Sequence, residues 1–114
     1  MTTPTVNLLQ GTLEFLILRT LSSGESRHGF AILRWIRDAT DGALTIEEGA
    51  LYPALHRMER RGWLRSDWGL SEKNRKSKYY ELTVRGRKQL EKEETDWASY
   101  VAAVEKIAAA TNGR

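Results

Sequence analysis

The sequence predicts a mainly α-helical fold with one small β-hairpin, and three observations carry that expectation. Apolar residues recur every three or four positions in three successive segments, the period that lines up one helical face. The pattern then shortens into two aromatic-bearing runs around a polar stretch, which reads as a hairpin. Helical spacing returns in a long final segment. The chain has 114 residues, enough for one domain. Its 40% hydrophobic and 29% charged composition lets a chain of this size hide about two thirds of its unfolded surface.

Each element has its own signal. Leu9, Leu13, Leu16, Ile17 and Leu21 mark a first helix over residues 9–22, which Gly24 and its serines punctuate. Phe30, Leu33 and Ile36 mark a second from His28 to Ala39, stopped by Asp41-Gly42. Thr45 and Glu48 have the spacing of a capping box, so a third helix is expected from about Thr45 to Arg61, buried along Leu51, Leu55 and Met58 and ended by Gly62. Pro53 removes a backbone donor inside it and crowds the carbonyl of Gly49, which suits a late start or a bend. Residues 63–68 and 78–82 are the expected strands, with residues 69–77 as a long basic tip. Thr83 can cap a last helix over Val84–Ala109, about 39 Å long at 1.5 Å per residue.

Several functions are disfavoured at once. Cysteine is absent and only His28 and His56 are present, so disulfides, thiolate nucleophiles and nearly every zinc site drop out, and no metal or cofactor is expected. No Gly-rich phosphate loop occurs and the nucleophile, base and acid types do not converge, so the chain is not expected to be an enzyme. Apolar runs such as Phe15 to Leu18 are far short of the roughly 20 residues that cross a bilayer. A cytoplasmic protein with no membrane partner is expected.

Charge is distributed unevenly. From Arg57 to Lys92 there are twelve Lys or Arg against five acids, a net +7, while the rest of the chain carries −4. Such asymmetry is the footprint of a surface for polyanions, unless the run is merely a solvated face.

Three short helices followed by a hairpin is the winged helix-turn-helix order, in which helix 3 enters the major groove of double-stranded DNA and the hairpin reaches nearby phosphates. Helical geometry turns Ala50, Pro53, Arg57 and Arg60 away from the core, with Tyr52 and His56 on the flanks. Arg57 is the candidate base reader, because a guanidinium can fork onto guanine; a phosphate contact or a free surface arginine is the competing reading. Tyr52 offers a hydroxyl to phosphate, or else is half-buried core. Ala50 and Pro53 can touch only methyl groups or sugar. Lys73, Arg75, Lys76 and Lys78 would neutralise phosphates without reading sequence. Arg27 and His28, near the open N–H groups that start helix 2, are expected to add a phosphate contact. Residues 9–83 would form this DNA-binding unit and 84–110 a helix for homodimerisation through Leu90, Trp97, Tyr100, Val101, Val104, Ile107 and Ala108; packing on the chain's own helix 1 competes for that stripe. An adaptor that binds protein or RNA through the same winged helix is the alternative.

The motifs Leu9-Gln10-Gly11-Thr12-Leu13, His28-Gly29-Phe30-Ala31-Ile32 and Gly49-Ala50-Leu51-Tyr52-Pro53-Ala54-Leu55-His56-Arg57-Met58-Glu59 resemble the PadR transcriptional regulators. Gly62-Trp63-Leu64 and Lys78-Tyr79-Tyr80-Glu81-Leu82-Thr83, followed by Gly86-Arg87, extend the match along nearly the whole chain. Trp68-Gly69 and Glu72-Lys73-Asn74-Arg75 are similar to the subgroup first noted in acidobacterial genomes. The resemblance implies a bacterial, nucleoid-associated homodimeric repressor on an inverted-repeat operator. It also implies relief by a signal, in some relatives a small aromatic effector that stacks on a tryptophan placed like Trp97. The single, short C-terminal helix departs from the longer region of the first subgroup, so a phenolic-acid pocket of that kind is not expected.

Overall fold

The computed structural model describes residues 11–112. In order it contains α1 (Leu13–Thr20), β1 (Arg27–His28), α2 (Gly29–Ala39), α3 (Glu48–Arg60), β2 (Leu64–Leu70), β3 (Lys76–Leu82) and α4 (Val84–Asn112). Ile17, Leu18 and Leu21 from the first helical segment meet Ile32 and Ile36 of α2, Leu51, Leu55 and Met58 of α3, and Leu64, Tyr80 and Leu82 of the sheet in one core. Leu90 of α4 closes it.

Helix α1 begins at Leu13, after Gly11 at φ +85°; the expected start at Leu9 lies outside the described residues. Helix α3 also begins later than expected. The capping box at Thr45 is not formed: Glu47, extended at φ −81° and ψ 147°, is the N-cap. Ile46 is drawn into the core, and the residues up to Glu47 stay outside the helix. Pro53 is accommodated within a continuous α3. At its far end Gly62 adopts φ +79°, and the N–H of Trp63 bonds the carbonyl of Met58 at 3.0 Å, the left-handed stop that the sequence signals.

The sheet has three strands rather than two, in the order β1-β3-β2 with both pairings antiparallel. Strand β1 is only Arg27 and His28, paired with Tyr80 and Tyr79, too short to show any alternation in sequence. Strands β2 and β3 run further outward than expected, to Leu70 opposite Lys76, so the tip shrinks to residues 71–75. Gly69 has a specific task in this wing: a Cβ there would lie 3.1 Å from the ring of Tyr79. Tyr79 crosses beside it and donates its hydroxyl to the carbonyl of Leu70 at 2.9 Å.

Helix α4 is anchored by Thr83, whose hydroxyl donates to the carbonyl of Gly62 at 2.5 Å and accepts from the N–H of Gly86 at 3.0 Å. Gly86 is buried against the end of α3, where a Cβ would come within 2.1 Å of the carbonyl oxygen of Trp63. At 29 residues the helix is about 44 Å long, and beyond Leu90 none of its residues is buried. The radius of gyration is accordingly 16.3 Å, against about 13 Å for a compact chain of this length. No helix among the described residues is long and apolar enough to cross a membrane.

Candidate nucleic-acid interface

A groove of about 570 Å³ opens between α3, the start of α2 and the inner side of the wing. From α3 it receives Glu48, Tyr52 and His56, and from the wing Trp68, Lys73, Arg75, Lys76 and Lys78. Register explains the wing's share. Trp68 faces Lys78 across the ladder and Leu70 faces Lys76, and alternate residues share a face. The face that buries Tyr80 at the base of the sheet therefore continues outward as aromatic and cationic side chains. Lys76 Nζ lies 5.1 Å from the centre of the Trp68 ring, in range of a cation–π attraction.

The remaining wall comes from α2. The imidazole of His28 caps this helix, its Nδ1 accepting from the N–H of Ala31 at 3.1 Å. Gly29 follows because Tyr52 leaves no room for a side chain: a Cβ would sit 2.7 Å from the phenol ring. Burial, reinforced by the charge of Glu48, pushes the Tyr52 hydroxyl above its ordinary pKa. It therefore stays a neutral donor at physiological pH, suited to a phosphate oxygen. Arg34 reaches the groove from the next turn, 5.5 Å from the centre of the Phe30 ring, and pairs with Glu72 at 3.3 Å.

Below the wing, Glu59 accepts from the Ser66 hydroxyl at 2.6 Å and lies 3.4 Å from Lys78 Nζ. The Ser66 bond holds the Glu59 carboxyl below its ordinary range, helped by Lys78 against the opposing effect of burial. Five cations, Arg34, Lys73, Arg75, Lys76 and Lys78, thus line the groove with only two acids, Glu48 and Glu72.

The expected residues divide into three sets. His28, Tyr52, Lys73, Arg75, Lys76 and Lys78 come together in the groove. Ala50 and Pro53 are exposed on α3 but do not line it. Arg27 and Arg57 turn elsewhere. Arg27 lies 5.9 Å from the centre of the Trp35 ring and 3.2 Å from Glu25. Arg57 leans toward α1, with Nε 3.6 Å from Glu14. Phe30, Arg34 and Trp68 are lining residues that sequence reasoning did not select. The outward position of Arg34 on α2 was their one available signal, since only the fold sets α2 beside the wing.

On α4 the stripe is divided too. Leu90 belongs to the chain's own core at 6% exposure, so the free stripe starts later, at Trp97. Trp97, Tyr100, Val104 and Ile107 are exposed, Ala108 with them and Val101 half-buried. Trp97 stacks on Tyr100 with ring centres 6.2 Å apart and meets Phe15 of α1 at the same distance. These three rings line a shallow hollow of about 300 Å³. No cluster of metal-ligating side chains occurs among the described residues.

A three-stranded winged helix with a cationic groove beside its third helix defines a DNA-binding transcriptional regulator. The chain belongs to the PadR-like family of transcriptional regulators, whose family model matches residues 17–92. Solved structures agree in fold and sequence. A transcriptional regulator from Clostridium thermocellum superimposes with a TM-score of 0.77 at 29% identity, over 85% of this chain and 93% of that one. A PadR family regulator from Eggerthella lenta gives 0.75 at 31% identity, over 87% and 83%. An uncharacterized protein from Lysinibacillus sphaericus is 28% identical over 92 residues, 81% of this chain and 84% of its own.

Proposed function

We propose that this chain is a homodimeric repressor that grips an inverted-repeat operator with α3 and the wing of each copy. The observation that carries the reading is the convergence of Arg34, Lys73, Arg75, Lys76 and Lys78 on one groove that runs along the recognition helix. Residues 9–83 form the DNA-binding unit and 84–110 the dimerisation helix, whose exposed apolar side chains from Trp97 to Ile107 need a second surface to cover them. In the dimer the two recognition helices stand about 34 Å apart, one turn of DNA. Tyr52 and the wing cations hold phosphates, and Arg57 reads a base once DNA has drawn it from Glu14. The Trp68-Gly69 and Glu72 to Arg75 motifs favour the acidobacterial-type subgroup.

Relief from repression fits the hollow at Phe15, Trp97 and Tyr100, whose flat rings suit a small aromatic effector. Selection of bound duplexes from a random pool, followed by footprinting, tests the whole reading. A palindromic consensus protected over two successive turns supports it. Enrichment of RNA, or of no nucleic acid at all, favours the adaptor instead.

A further inference from the structure

Apart from Arg34 and Lys78, which pair with Glu72 and Glu59, two sets of cations near the interface stand in contrast. At the wing tip Lys73, Arg75 and Lys76 have no carboxylate partner among the described residues. On α3 and at its C-cap, Arg57 Nε and Arg61 Nη1 both approach the same oxygen of Glu14, at 3.6 and 3.7 Å. That oxygen is shielded from solvent and accepts no hydrogen bond. The Glu14 side chain is 23% exposed, against 44% for Arg57 and 54% for Arg61. A sheltered carboxylate without hydrogen bonds depends on its paired cations, and removing them leaves an uncompensated charge.

The two sets therefore respond differently to DNA. A free wing lysine gains whenever any phosphate comes near, because condensed counterions are released. Arg57 and Arg61 exchange one anion for another when they move to a phosphate, and they strip Glu14 as they go. A base edge with two acceptors in the right place offers Arg57 a forked bond that an arbitrary base pair does not.

We infer that Glu14 is a specificity-determining residue: it ties Arg57 and Arg61 to α1 so that the recognition helix adds little charge-driven affinity for arbitrary DNA. The inference rests on DNA binding through α3 and the wing. Its role is to lower the background against which an operator is recognised, not to raise affinity for the operator.

The test is the salt dependence of binding to a random-sequence duplex, by fluorescence anisotropy with the full chain. Each phosphate neutralised contributes about 0.9 to the slope of log K against log salt. Glu14→Gln is expected to steepen that slope by up to about 1.8 as both arginines are released, and to narrow the ratio of operator to random binding. Glu91→Gln, which removes the same charge from an exposed site on α4, is expected to leave the slope as it is. Arg61→Gln should also leave the random-duplex slope of the otherwise native chain unchanged, whereas Lys76→Ala should flatten it by about one unit.

An unchanged slope in Glu14→Gln, or an equal change in Glu91→Gln, overturns the role of Glu14. So does an Arg61→Gln slope as flat as that of Lys76→Ala, a comparison that decides alone if Glu14→Gln does not fold. If Lys76→Ala leaves the slope untouched, the wing is not on DNA and the underlying reading falls instead.

Discussion

The body of the molecule and the outer half of α4 are both helical and apolar along one face, yet they are held in opposite ways. In the body, fourteen hydrophobic side chains from four helices, the sheet and the residues flanking α1 and α3 bury one another. On α4 beyond Leu90 nothing is buried, although Trp97, Tyr100, Val104 and Ile107 continue an apolar stripe. The body is packed from its own elements, whereas the outer helix leaves its stripe largely uncovered among the described residues. Periodicity alone makes these two regions look alike. What separates them is that other described elements fold over the first stripe and leave the second open.

Substitutions should separate the two regions sharply. Leu55→Ala opens a cavity at a fully buried position and is expected to cost about 2–5 kcal/mol in urea unfolding. Gly86→Ala drives a methyl group against the carbonyl of Trp63; a loss of about 1–3 kcal/mol is expected as α4 shifts off the body, and a smaller loss would mean that the α4 junction yields easily. On the outer helix, Ile107→Ala should change the unfolding free energy of the protomer by less than about 0.5 kcal/mol. Ile107→Glu should nonetheless drive the protein toward monomer in sedimentation at micromolar concentration. A stability loss from Ile107→Ala as large as that from Leu55→Ala would abolish the distinction.

The smallest expected effect is on pH dependence. The native-state pKa of Glu59 is depressed, so its contribution is present above the unfolded carboxyl range near about 4.3 and is lost as pH falls through the lower folded value. Glu59→Gln should be less stable than the native protein at neutral pH, and the two urea midpoints should converge in acid.

Much of the fold was legible because its signals are local. Gly62 announces the end of α3, Thr83 the start of α4, and Leu51, Leu55 and Met58 the inner face of the recognition helix. Strand β1 was not legible, since two residues carry no period and Arg27-His28 extends only because β3 offers an open edge. The capping box at Thr45 failed for a related reason: burial of Ile46 outweighed one side-chain bond. For the interface, the wing cations were found by their sequence cluster and Tyr52 by its place on α3. The alliance of Arg57 with Glu14 was invisible, because 43 positions separate the two and only the packing of α1 on α3 brings them together.

Thr83 and Gly86 fix where α4 leaves the DNA-binding half, Leu90, Glu94 and Trp97 hold it against the body for about three more turns, and the helix beyond Trp97 runs on for about 22 Å. A lever of that shape converts small angles into large strides. A tilt of about 5° at the fulcrum displaces the far end by about 2 Å over such a length, and the reverse holds when the far ends are clasped and the heads swing. In a pair joined along these arms, any event that re-angles the clasp resets the distance between the two reading heads, which behave as the jaws of a calliper rather than as independent hands.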